Sequence, residues 1–518
     1  MRSKARTWNK NHVILLLVLG LAVLTRWVGL GKIPGGILPD EAYGAYNAWA
    51  LLKDGIDSRG YHFPVYFVAW GSGMNVLYSY LAIPLFRLFG ATITVYRIPQ
   101  ALFGILGVYA AYVLGRELYN ENFGLFFSFV LAINPWNIMN NRFALESNLA
   151  PSLLLIAVTL LVLGVKKKTI YLPCAAVVFG ATLYAYAQSW IVIPLFLLLF
   201  LIVYRKRIPF GKHLWIAVAI LFVMACPLLY FVGVNLGFLP EVKTAFFSIP
   251  RLLSFRGEEL NLANILSGVK TLLRLIFVRQ YDGTSYTACE ETGAYYYFTT
   301  PFCILGILIQ MISFFRNRKQ ERTWEYVMLL WLVSAGVMSV LNEVITIIHV
   351  NLIHIPVIFY GAYGIYRICE KLRNKVFSGV CLAVLCISFV VFLQDYAENN
   401  RVVSMFCGDE AKEAMTAAGE ASENGEYTIV KPQTINFAVI LWNEKIPVRE
   451  FMDSVVYTGD VGWENAEEFC GFRYVQDLQD AVEDGVYLIP HAYEEEMMHR
   501  DYEVITVNDI YSLAVRQP

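Results

Sequence analysis

Long apolar runs dominate the first three quarters of the chain, each carrying almost no charge and each ending in a polar turn. A spanning helix needs about 20 mostly apolar residues. Runs of that kind lie near 12–30, 98–115, 122–138, 147–165, 170–187, 189–203, 213–232, 301–315, 325–341, 345–366 and 376–394. This reads as a mainly α polytopic membrane bundle of about eleven spans. The segment 74–90 is apolar but short, and it holds Pro84 and Arg87. From Asp395 onward the pattern changes. Tyr427–Lys431, Gly485–Pro490 and Tyr502–Val507 read as short buried strands, and the stretches 411–423 and 493–499 read as helices. Strands alternating with helices predict a small α/β domain. The expected organisation is a membrane domain over 1–394 and an α/β domain over 395–518.

Charge sets the sides. Cytoplasmic loops carry an excess of Lys and Arg. With the N-terminus inside and 74–90 not crossing, Arg116, Lys166–Lys168, Arg205–Arg207, the run Arg316–Arg322 and the run Arg367–Lys375 all fall inside. A crossing at 74–90 would place every one of them outside. The segment 74–90 is therefore expected as an interfacial helix, and ANILSGVKTLLRLIF in 233–300 reads as a second. The loops 31–97, 135–146 and 233–300 and the tail then become extracytoplasmic. The N-terminus resembles a signal peptide, with a basic stretch before an apolar one. No small-residue cleavage site follows, so it is read as a retained helix.

Composition agrees. Of 518 residues, 57% are hydrophobic and 16% charged, against about 25% charged in ordinary soluble domains. The net charge of −1 gives no basic field for nucleic acid. The nine cysteines form no CxxC pair. Cys174, Cys226, Cys303, Cys381 and Cys386 lie in apolar runs as packing residues. Cys407 and Cys470 share a compartment that permits disulfides.

Three clusters could carry chemistry. The first outer loop contains Asp40 and Glu41 after a run of turn-formers, just where a helix begins. They form either a capped helix start, or a base that takes a proton from an acceptor beside a second acid that orients a group or binds a divalent metal. In NPWNIMNNRFALESN, Arg142 and Glu146 are spaced to share a helix face. That is either a local ion pair or an arginine for a lipid phosphate, with Glu146 at the outer end of a span. In NEVITIIHVNLIHIP, His349, Asn351 and His354 place three polar residues in a late apolar span; a lone histidine is more often a hydrogen-bonded core residue than a ligand, but three together are expected to face a polar cavity that holds the donor phosphate or the sugar. The loop 233–300 adds Arg279, which suits either anionic headgroups or a substrate.

The paired acids Asp40–Glu41, the RFALESN stretch, NLIHIP and YRIPQALFGILGVYAAYVLGRELYN (96–120) resemble, in that order, the GT-C glycosyltransferases. The resemblance covers about residues 10–370, and is closest to the bacterial branch related to protein O-mannosyltransferases and aminoarabinose transferases. It implies an inverting transfer of a sugar from a polyprenyl-phosphate carrier, at the outer face of the cell membrane, to an acceptor glycan, lipid or protein. It implies Asp40 as the acceptor-activating base with Glu41 in support, and Arg142 and Glu146 at the edge of the same cavity. Many relatives carry an arginine where this chain has His349 and His354. The competing classes are a transporter or flippase, a lipid-linked glycan polymerase or ligase, and a scaffold presenting the tail. No internal repeat of the transporter kind stands out.

Overall fold

The computed structural model describes residues 10–255, 262–316, 324–342, 344–407, 409–422, 424–430, 435–458, 465–475, 478 and 485–516. It divides into two compact units. One comprises residues 1–30, 98–226 and 257–397; the other comprises residues 31–97, 227–256 and 398–518.

The apolar runs expected to span are helical over most of their length. Among the described residues, seven helices are long and apolar enough to cross a membrane by length and composition: 10–27, 93–118, 146–166, 212–235, 297–316, 351–372 and 375–404. Some of these segments run on into the second unit. Shorter apolar helices occupy Glu121–Ile133, Tyr171–Leu183, Ser189–Tyr204 and Tyr326–Leu341. At about 1.5 Å per residue the thirteen-residue helices reach only about 20 Å, short of a hydrocarbon core about 30 Å thick.

The helices are held by close backbone approach and by buried polar ties. An added Cβ at Gly364 would lie 1.9 Å from the Phe302 carbonyl oxygen. The absent side chain therefore lets Thr300–Arg316 and His354–Leu372 touch, a small-residue contact suited to packing where no hydrophobic effect drives association. The helix Leu262–Phe277 appears in the long second loop, as its amphipathic pattern predicts. Leu266 and Leu273 face outward, while Leu272 and Ile276 are buried.

Two local expectations are corrected here. Arg142 and Glu146 do not share a helix. Pro135–Asn140 forms a short helix capped by the Asn134 side chain, residues 141–145 turn, and Glu146 opens the next helix. The side chains of this asparagine-rich stretch bond to main chain, Asn141 Nδ2 to the Asn137 carbonyl among them, which competes with continued helix. The late span also begins later than its hydropathy indicates. Residues 347–350 turn, Asn351–Ile353 is a 3₁₀ turn, and the helix proper runs His354–Leu372. His349 and Asn351 thus precede the α-helix.

In the second unit, the helix Pro39–Asp54 packs against Leu77–Phe89 and Phe437–Glu444. Gly44 permits the first approach, because a Cβ there would meet the Tyr96 hydroxyl at 2.4 Å. Leu77–Phe89 is the apolar segment around 74–90. It has thirteen residues, with Tyr78, Ala82 and Phe86 buried. Among the described residues the tail forms a seven-stranded sheet in the order 456–458, 465–469, 472–475, 428–430, 486–490, 511–516, 502–506. The central strand 428–430 runs parallel to both its neighbours, and the other pairs are antiparallel. Val430, Val475, Tyr487, Ile489 and Tyr502 build its core with Met497 from a covering helix. Three expected strands and both expected helices are present; strands 456–458, 465–469, 472–475 and 511–516 add to them.

Candidate active site

Asp40 sits in the first turn of Pro39–Asp54. Leu38 is the N-cap and Pro39 takes the first helical position, where its missing N–H costs nothing and its fixed φ fits the helix. Asp40 is therefore the second helical residue, two positions past the cap. Its carboxylate faces the favourable end of the helix dipole.

A hairpin reaches over to meet it. Phe67 and Met74 exchange both backbone hydrogen bonds, at 2.9 and 3.0 Å, and the tip holds Trp70 and Gly71 with φ of 55° and 77°. A left-handed conformation is routine for glycine but costs a bulky L-residue roughly 1–2 kcal/mol. Packing fixes it: the Trp70 ring lies 5.5 Å from Tyr43 and 5.1 Å from Phe437. The Tyr43 hydroxyl also donates to the Val68 carbonyl at 2.5 Å and accepts from Ser58 at 2.9 Å. So held, the Trp70 indole N–H donates to Asp40 Oδ1 at 2.9 Å. Asp40 stays exposed at the surface, yet the protein packed around it displaces water. Removal of that water pushes its pKa above the ordinary 3.8, and the Trp70 hydrogen bond opposes the rise. An accessible carboxylate with a raised pKa is the physical profile of a base.

Glu41 has a different part. Arg97 grips it at two points, Nε to Oε1 and Nη2 to Oε2, both at 2.7 Å. Both side chains are fully buried. The same guanidinium donates to the carbonyls of Pro34 and Gly36 at 2.7 and 2.8 Å. It thereby ties the turn before the helix to the helix start, and this places Asp40. A second acid that orients its surroundings fits Glu41; a metal pair with Asp40 does not, because Arg97 engages both Glu41 oxygens. Among the described residues no group of three or more His, Cys, Asp or Glu side chains is arranged to hold a metal.

The remaining expected residues lie in the first unit. Arg142 is buried and donates to the carbonyls of Thr25 and Val28 at 2.7 and 2.8 Å. It thus clamps the end of the first helix, where carbonyls lack intrahelical donors. Glu146 opens the following helix as its first acid. Asn351 is buried and donates to the Ser147 carbonyl and to Asn148 Oδ1, at 3.0 and 3.1 Å. Gln100 and Asn140 both donate to the Asn148 carbonyl, so these amides form one knot. His349 Nδ1 pairs with the Thr346 hydroxyl at 3.0 Å. His354 is buried against Trp136. Its Nε2 lies 2.8 Å from the Ile347 carbonyl, and Tyr295 bonds to Nδ1. A carbonyl only accepts, so Nε2 carries the proton and Nδ1 accepts from Tyr295. Both ring nitrogens are then spent on the protein, which corrects the expectation that His354 faces a polar cavity. Arg279 is exposed and lies 3.8 Å from the exposed Glu290; such surface pairs are worth little.

Sequence reasoning passed over Trp70, Arg97 and Arg26. Arg26 lies in the first apolar run, fully buried. It donates to the carbonyls of Leu131 and Ala132 and to Asn137 Oδ1. A charge inside a span is a signal in itself, and would have found it. Arg97 begins a long helix within a motif already picked out, but nothing local links it to Glu41. Trp70 gave no signal, because its role depends on a hairpin fold. The side chain of Cys407 lies outside the described residues, and Cys470 contacts Ser454 Oγ at 3.1 Å.

Comparison with known proteins adds the family context. A family model described as dolichyl-phosphate-mannose-protein mannosyltransferase matches residues 48–231. No curated protein matches the sequence. The apo structure of ArnT from Cupriavidus metallidurans is similar over 97% of this chain and 99% of that one, with a TM-score of 0.57 and 13% identity. The structure of the same protein bound to undecaprenyl phosphate gives the same values. The archaeal oligosaccharyltransferase AglB of Archaeoglobus fulgidus, in complex with an inhibitory peptide and a dolichol-phosphate, is similar over 98% of this chain and 74% of that one, with a TM-score of 0.55 and 13% identity. This multi-pass chain has the GT-C fold, shared by membrane glycosyltransferases related to protein O-mannosyltransferases and aminoarabinose transferases.

Proposed function

We propose that this protein is a membrane glycosyltransferase that moves a sugar from a polyprenyl-phosphate carrier to an acceptor at the extracytoplasmic face. The observation that carries the reading is Asp40: an accessible carboxylate, oriented by Trp70 and anchored through its neighbour Glu41 to Arg97. The solved structures of this fold include one bound to undecaprenyl phosphate and one with a dolichol-phosphate, which supports a lipid-phosphate donor here. Residues 395–518 form the extracytoplasmic α/β domain in this reading.

The step is an inverting displacement. Asp40 accepts the proton of an acceptor hydroxyl or amine as its O or N attacks the anomeric carbon. The bond from that carbon to the phosphate oxygen breaks with its electron pair, and the polyprenyl phosphate leaves. Negative charge grows on the phosphate, so positive charge near it favours the transition state. Arg142, His349 and Arg279 are the groups expected in that role; Arg142 is engaged in holding main chain, His349 pairs with Thr346, and Arg279 keeps an exposed guanidinium.

The test is transfer of label from radiolabelled polyprenyl-phosphate hexoses to membrane extract. Asp40→Asn keeps the shape and loses the base, so transfer falls by about 10²–10⁴-fold while the protein still inserts and purifies. Equal rates for variant and wild type would remove Asp40 from the chemistry. Failure of the wild type with every donor would remove the transferase.

A further inference from the structure

A polar cleft lies within the first unit. Where the helices Ile93–Leu118 and Glu146–Lys166 end, and Glu121–Ile133 and Tyr171–Leu183 begin, an open cleft of about 600 Å³ is lined by Arg116, Lys167, Lys168, Glu117 and Glu121, with Leu163 and Tyr171 beside them. Glu117 gathers three cations: Lys166 at 3.2 Å, Lys167 at 3.4 Å and Arg116 at 3.5 Å. The group holds four cations against two carboxylates, and Lys167 and Lys168 are exposed. One carboxylate thus concentrates more positive charge than it cancels, at the ends of apolar helices.

An apolar track leads away from it. Ile170 and Val177 are 51% and 48% exposed, and Cys174 between them is exposed too. Their spacings of four and three put them on one stripe of the helix Tyr171–Leu183, which begins at the cleft. We propose that the cleft binds the phosphate headgroup of an anionic glycerophospholipid, whose acyl chains lie along that stripe. Lysine and arginine clusters beside membrane helices attract anionic headgroups at about 1 kcal/mol per cation. The apolar stripe is what favours a lipid over a free anion of the same chemistry.

Full-length protein in detergent is titrated with phosphatidylglycerol or phosphatidylcholine, and bound lipid is counted by native mass spectrometry. Wild type retains phosphatidylglycerol in preference to phosphatidylcholine. The double variant Lys167→Gln/Lys168→Gln binds it roughly 30-fold more weakly. The exposed control pair Lys206→Gln/Lys212→Gln binds as wild type does. Equal retention of the two lipids, or equal affinity in wild type and the cleft variant, would overturn the assignment. Displacement of the lipid by inorganic phosphate at comparable concentration would overturn it too, by making the ligand a free anion.

Discussion

Arg97 closes on Glu41 with two parallel hydrogen bonds of 2.7 Å, and neither side chain touches solvent. Removing one member of such a pair leaves the other charge buried and alone, at a cost of about 3–5 kcal/mol. Glu41→Leu and Arg97→Leu should therefore each lower the melting temperature in detergent sharply. The double variant should recover part of the loss. Arg97→Lys should not rescue, because an ammonium cannot make the two-point contact. Additive losses in the double variant would mean that the pair does not anchor the helix start.

Asp40 titrates above the ordinary carboxylate range because surrounding protein disfavours its charged form. A base works only when ionised, so kcat/KM should rise with pH through that raised pKa, and activity should be lost on the acid side earlier than a solvated Asp would lose it. The Trp70 N–H favours the charged form. Trp70→Phe removes that bond, so the acid limb should move to still higher pH. A profile of kcat/KM against pH reads both; a limb that moves downward in Trp70→Phe would contradict the role given to the indole.

His354 separates structure from substrate binding. His354→Leu leaves the Tyr295 hydroxyl and the Ile347 carbonyl without their partner, at about 1–3 kcal/mol for each stranded group. The expected outcome is a lower melting temperature with an unchanged KM for the lipid donor in the protein that stays folded. A raised KM at unchanged stability would return His354 to the donor site.

Gly364→Ala tests the helix contact. The new Cβ would meet the Phe302 carbonyl at 1.9 Å, so the helices must part. Overpacking of this kind costs about 1–3 kcal/mol, read as a fall in melting temperature. An unchanged melt would show that the two helices yield freely.

Hydropathy and charge made the membrane helices and the helix Leu262–Phe277 legible from residue order alone, because a span or an amphipathic face is set by local pattern. The placing of Asp40 at a helix start was legible for the same reason: turn-formers, an acid pair and a helix start are neighbours in sequence. Arg142 and Glu146 misled, since four-residue spacing means a shared face only where the helix is unbroken, and residues 141–145 are not helical. His349 and Asn351 misled similarly, with a turn standing where hydropathy continued a span.

The sequence by itself determined the helices, the change of composition near residue 395 and the acid at the head of Pro39–Asp54. Only the tertiary structure decided what each charged group does. Glu41 and Arg97 are fifty-six positions apart, and Trp70 reaches Asp40 across thirty. No local periodicity encodes such pairs. They arise because a buried charge must find a partner once water is excluded, and folding, not spacing, brings that partner near.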